Sequence, residues 1–249
     1  MDFRQNSMDF RIKVELPVEQ CCIRHEDNMM LWGSCFAENI GNALIAYKFR
    51  CDMNPFGILY NPCSISKAIR LIADGRYYVS SDLIPANGQW HSLMHHSSFS
   101  AADKEECLRR INSRIETATE HLRAARWIIV TWGSARVYEW ADTGEIVGNC
   151  HKLPERYFDR RLLEVDEIVE DYRDLLKKLR QLNPHVNFLF TISPIRHVRD
   201  GLHENQISKS VLQVAVGKIC AEISSCFYFP SYEIMMDELR DYRLSLIHI

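Results

Sequence analysis

Four short runs of this chain are almost wholly apolar instead of alternating: Met29-Met-Leu-Trp32, Trp127-Ile-Ile-Val-Thr131, Asn187-Phe-Leu-Phe-Thr-Ile-Ser193 and Cys226-Phe-Tyr-Phe229. A strand with one wet face alternates apolar and polar side chains, whereas a strand covered on both faces does not. Helical spacing fills the intervals, over residues 39–49, 65–73, 104–125, 163–181 and 209–224. The third of these places Leu108, Ile111, Ile115, Ala118 and Leu122 on one face. Residues 82–99, with Pro85, Asn87-Gly88, His91, His95 and His96, read as a loop or irregular insertion. Doubly buried strands joined by helical crossovers predict a three-layer α/β/α sandwich around a mostly parallel sheet. Residues 10–243 are expected to form one domain, and 249 residues are enough for a sizeable core.

Charge and cysteine usage narrow the function classes. Thirty Lys+Arg against 33 Asp+Glu give a net charge of −3, so no basic excess is available for a nucleic-acid backbone. No stretch approaches the ~18 apolar residues of a membrane span. The nine cysteines are scattered without Cys-x-x-Cys pairs, which predicts reduced thiols and a cytoplasmic protein. His91, His95 and His96 suggest a metal cluster by composition. No carboxylate stands at ligand spacing beside them, so neither a metal nor another cofactor is expected. Met1-Asp-Phe-Arg returns as Met8-Asp-Phe-Arg, which suggests a second start and a dispensable residues 1–7.

In an open parallel sheet, chemistry collects in the loops after the strands' carboxyl ends. Four such loops are readable: Gly33-Ser34-Cys35, Gly133-Ser134, Ser193-Pro-Ile-Arg-His197 and Pro230-Ser-Tyr232. Ser34, at a strand-to-helix turn, is the sharpest candidate for a nucleophile whose oxyanion needs nearby N–H donors. It is expected at the tip of the first core strand, partly exposed. Two other readings stay open: Ser34 only caps the following helix, or Cys35 is the nucleophile.

Leu31-Trp-Gly-Ser-Cys-Phe-Ala-Glu-Asn39 contains the five letters of the GSCFA family, and further segments resemble that family in order. They are Asn54-Pro-Phe-Gly-Ile-Leu-Tyr-Asn-Pro62, Thr131-Trp-Gly-Ser-Ala-Arg-Val-Tyr-Glu139, Asn149-Cys-His-Lys152, Ser193-Pro-Ile-Arg-His-Val-Arg-Asp-Gly201 and Tyr228-Phe-Pro-Ser-Tyr-Glu-Ile234. The family is similar to the SGNH (GDSL-like) hydrolases. That resemblance implies a serine esterase or acyl hydrolase without a cofactor, acting on a small-molecule or carbohydrate ester. It makes Ser34 the nucleophile and gives Ser34, Gly57 and Asn149 an oxyanion hole. The third SGNH block, Gly-x-Asn, has alanine in place of the asparagine here, at Ala135; Asn149 is the substitute donor or merely a turn residue. The competing reading is a non-catalytic binding module on the same fold.

The resemblance also implies a histidine base in a D-x-x-H near the carboxyl terminus. After Arg243 the chain reads Leu-Ser-Leu-Ile-His-Ile249, with Ser245 three before His248. Those six residues are the in-frame translation of CTGTCTCTTATACACATC, a transposase sequencing adapter. Residues 244–249 are therefore expected to be read-through, with the native chain truncated at Arg243 and the fragment inactive. Asp200-Gly-Leu-His203 is the other D-x-x-H and forms the fallback dyad, Asp200 with His203; His197 stands close by. Asp200-Gly201 reads equally well as a turn.

Overall fold

The computed structural model describes residues 13–16 and 22–239. In chain order its elements are β1 (Asn28–Gly33), α1 (Cys35–Ala46), β2 (Arg50–Met53), α2 (Pro62–Ala73), β3 (Ile84–Ala86), β4 (Gln89–His91), α3 (Lys104–Ala124) and β5 (Trp127–Trp132). They continue as β6 (Arg136–Trp140), β7 (Glu145–Val147), β8 (Phe158–Leu162), α4 (Val165–Leu182), β9 (Asn187–Ile192), α5 (Leu202–Glu222), β10 (Cys226–Phe229) and α6 (Ser231–Glu233). The central sheet runs β10-β9-β5-β1-β2 and is parallel throughout. Strand order thus reverses between β1 and β5, the place where open α/β sheets leave a crevice at their carboxyl edge.

The three layers follow from the strands' two apolar faces. Met30, Trp32, Ile128, Val130, Trp132, Phe188 and Phe190 face one way and pack with Ile69 of α2, Ile111 of α3, Leu176 of α4 and Leu212 of α5. Met29, Leu31, Trp127 and Ile129 face the other way and meet Leu44 of α1 with Cys51 and Met53. All six residues of β5 are buried, as its unbroken apolar run predicts. Inside the larger core a hydrogen-bonded chain ties three elements: Trp132 Nε1 donates to the Tyr172 hydroxyl at 3.0 Å, and that hydroxyl donates to the Pro62 carbonyl at 3.1 Å.

The helices start where the sequence supplies caps. Asn61 accepts from the Ser64 N–H at 2.7 Å with Pro62 in the first turn of α2, and Asp103 accepts from the Glu106 N–H at 2.8 Å to open α3. The expected loop over residues 82–99 holds a small antiparallel hairpin, β3 with β4. A second small sheet, β7-β6-β8, is antiparallel and stands beside the carboxyl edge of the main sheet. Among the described residues no helix is long and apolar enough to cross a membrane.

Candidate functional site

The turn after β1 is built by glycine. Gly33 adopts φ +144°, and a Cβ there would overlap the Thr131 carbonyl oxygen of the neighbouring strand. That close approach lets α1 start immediately, with Ser34 as its N-cap. The Ser34 Oγ accepts from the Phe36 N–H at 3.3 Å, and the Ser34 carbonyl accepts from the Glu38 N–H at 3.2 Å. Ser34 is only 2% exposed, where the sequence predicts a partly exposed side chain.

The burial of Ser34 coincides with a segment strung across the carboxyl ends of β1 and β5. The Asn54 N–H donates to the Leu31 carbonyl, and the Asn54 Oδ1 accepts from the Gly33 N–H at 2.9 Å. Further along, the Leu59 N–H donates to the Gly33 carbonyl, and the Tyr60 carbonyl accepts from both Gly133 and Ser134. Residues 54–61 therefore occupy the crevice that the strand order creates. Gly57, at φ +79°, packs against His96 and gives its N–H to the Asn54 carbonyl at 2.7 Å. The Asn54 Nδ2 is buried with no hydrogen-bond partner.

A cleft of about 290 Å³ opens beside this segment, lined among others by Tyr60, Ser134, Asn149, Arg160, His197 and Asp200. Asn149 lies in it; Ser34 and Gly57 do not, so the expected single pocket of Ser34, Gly57 and Asn149 is not assembled. The Asn149 Oδ1 accepts from the His151 N–H at 2.8 Å and its own N–H donates to the Leu93 carbonyl, which is turn geometry. The Asp200–His203 pair is likewise not joined. Asp200 precedes Gly201, whose φ of +87° turns the chain into α5, and its Oδ2 accepts from Arg160 at 2.6 Å. His203, in the first turn of α5, is exposed. His197 is the histidine in the cleft: its ring stands edge-on to Tyr60 at 5.6 Å. Burial, then the positive charge of Lys209, pulls His197 down to about 4, against a raising influence of Asp200.

Residues 28–245 match the profile of the GSCFA family, which is most of the chain. The protein belongs to the GSCFA family. No curated protein matches it. Among solved structures it is similar to an acetyl xylan esterase from the rumen bacterium Butyrivibrio proteoclasticus, at 12% identity and a TM-score of 0.36. That likeness covers 85% of this chain and 57% of that one, so the chain spans little over half of its length.

One buried group of this GSCFA chain escapes a reading by motif. Lys209 is 1% exposed, and its Nζ donates to the carbonyls of Gly133 and Ser193, each at 2.6 Å. Burial lowers its amine to about 7. Its helical register with buried Leu212, Val216 and Ile219 was the available signal. The Cys35 thiol is pushed up by burial, which disfavours the thiolate a cysteine nucleophile needs. The eight described cysteines are all free thiols.

His91, His95 and His151 are packed into the protein by neighbours of their own. His95 stacks on Phe56 at 4.0 Å with its Nδ1 2.9 Å from the Ser92 hydroxyl, and burial draws it down to about 3. His91 Nε2 donates to the Ala86 carbonyl at 3.0 Å, and His151 Nε2 donates to the Ser92 carbonyl at 2.8 Å. Among the described residues no three His, Cys, Asp or Glu side chains gather in a way that could hold a metal ion. His248 and residues 244–249 lie outside the described residues.

Proposed function

We propose that this GSCFA protein is a serine esterase of the SGNH type, with Ser34 as nucleophile. In this reading the Ser34 Oγ forms a bond to an ester carbonyl carbon while its proton passes to a histidine. The oxyanion is held by N–H groups at the start of α1, and the histidine returns the proton to the departing alkoxide. The observation that carries it is the position of Ser34. It ends β1 at the reversal of strand order and begins a twelve-residue helix, whose unpaired N–H groups favour negative charge. Of the two histidines that follow β9, His197 is partly buried and kept neutral by burial, whereas His203 is exposed in the first turn of α5. A small acyl ester, such as an acylated carbohydrate, is the substrate class that the SGNH resemblance implies. Catalysis on this scheme needs Ser34 to become accessible and the Gly57 N–H to be released, because Ser34 is buried and that N–H is bound to the Asn54 carbonyl.

A second reading, a binding module without catalysis, is favoured by one observation: the Ser34 hydroxyl caps its own helix while a polar cleft lies open beside it. A fluorophosphonate probe separates the two. Covalent labelling of the parent that disappears in Ser34→Ala supports the esterase. A parent protein that is folded and never labelled sinks it.

A further inference from the structure

We infer that the cleft beside Tyr60 and Tyr138 is a binding site for the anionic group, carboxylate or phosphate, of a small polar ligand, gripped by Arg160 and Arg199 with Arg136 behind them. The inference does not depend on Ser34, which lies outside the cleft.

Three guanidinium groups line the cleft against a single carboxylate, that of Asp200. Each guanidinium has five N–H donors in a rigid fork, more than its protein partners use. Arg160 gives one bond to Asp200 and lies over the Tyr138 ring at 5.4 Å. Arg199 gives one bond to Glu155 at 2.7 Å, a carboxylate 88% exposed and outside the lining. Arg136 pairs with Glu204, and its Nε lies buried without a hydrogen bond, 3.8 Å from the Asp200 carboxylate. One carboxylate of the lining thus sits between two arginines, while Glu204 and Glu155, outside the lining, take a bond from Arg136 and Arg199 respectively and leave most of the N–H donors of those arginines unused. Burial and then Lys209 keep His197 neutral; Asp200 opposes them, and Arg160 adds a smaller push in the same direction as Lys209. Two tyrosines and Asn149 supply flat and polar surface around the charges. A volume near 290 Å³ sits at the small end of the ~300–1,000 Å³ range of ligand sites, which suits a ligand the size of one sugar or smaller.

The test is calorimetric titration of the full chain, at low ionic strength, with glucuronate, inorganic phosphate and glucose. At least one of the two anions should bind, and glucose should bind at least about tenfold more weakly. Binding of glucuronate alone assigns the site to a carboxylate, and binding of phosphate alone to a phosphoryl group. Raising sodium chloride should weaken the interaction, as screening requires. Arg160→Gln and Arg199→Gln should each cost roughly tenfold or more in affinity. Arg199 is largely exposed, so its variant reports on binding in a folded protein even where Arg160→Gln disturbs Asp200. Ser34→Ala should bind as the parent does, so loss of hydrolysis leaves the inference standing. Equal affinity for glucose and the anions, no binding of either anion, or affinity unchanged in both arginine variants overturns it.

Discussion

The Lys209 Nζ sits 2.6 Å from the Gly133 carbonyl oxygen. With its second bond to Ser193, this one amine ties together the loops that follow β5 and β9, and those loops carry Ser134 and His197.

The amine should reveal itself in the pH dependence of stability. Its folded value of about 7 lies below the ordinary 10.5, so between those values the unfolded chain holds more protons. Stability therefore rises with pH across that window, and a stabilising contribution is lost as pH falls through it. Urea unfolding at pH 7 and pH 9 should show the parent gaining up to about 2 kcal/mol on Lys209→Met. A gap between the two proteins that stays constant with pH would refute the assignment.

His95 gives the acid counterpart. Its folded value of about 3 lies below the ordinary 6.5, so stability falls as pH drops from about 6.5 toward 3. Between pH 7 and 5 the parent should lose about 2 kcal/mol more than His95→Phe, which keeps the stack on Phe56. Denaturant midpoints at the two pH values decide it, and parallel losses would count against a buried neutral imidazole.

Ser34→Ala tests two roles at once. From sequence, this change is expected to leave the thermal midpoint nearly unchanged. The bond from the Phe36 N–H makes Ser34 a helix cap, so a destabilisation of about 1 kcal/mol is expected. Hydrolysis of p-nitrophenyl acetate above background should vanish in the same protein if the proposed chemistry holds. Retained turnover would move the nucleophile elsewhere.

Two glycines with positive φ should respond unequally to alanine. Gly75→Ala meets open space at φ +61° and should cost about 1 kcal/mol. Gly33→Ala meets the Thr131 backbone and should cost more than ~3 kcal/mol or prevent folding. Similar thermal shifts for both would contradict the packing of the β1–α1 turn.

The central sheet was readable where burial was complete. β1, β5, β9 and β10 appear as apolar runs, whereas β2 carries Arg50 and Asp52 at the sheet edge and has no such run. α3 was legible almost residue for residue, because its apolar stripe and the Asp103 cap agree. α5 begins at Leu202, seven residues before the expected start, since its first turns carry polar side chains. The small sheet β7-β6-β8 went unread for the same reason, with Arg136, Glu139, Arg160 and Arg161 on its strands. At the site, the motifs point to loops at the carboxyl edge of the sheet, and spacing carries no information on their contacts. It cannot tell that the Asp200 carboxylate is held by Arg160, or that Ser34 is buried.

The burial of Ser34, beside the strap formed by residues 54–61, turns its reactivity into a question of rates. The strap is held at Leu31 and Gly33 before the buried Ser34 and at Gly133 and Ser134 on the neighbouring strand's loop, so an excursion that lifts it releases several of these bonds together. Slow labelling would then measure how seldom Ser34 becomes exposed and say little about the strength of the nucleophile. Amide exchange at Leu59 and Gly133 would report how often the strap lifts, and agreement of the two rates would tie the exposure of Ser34 to it.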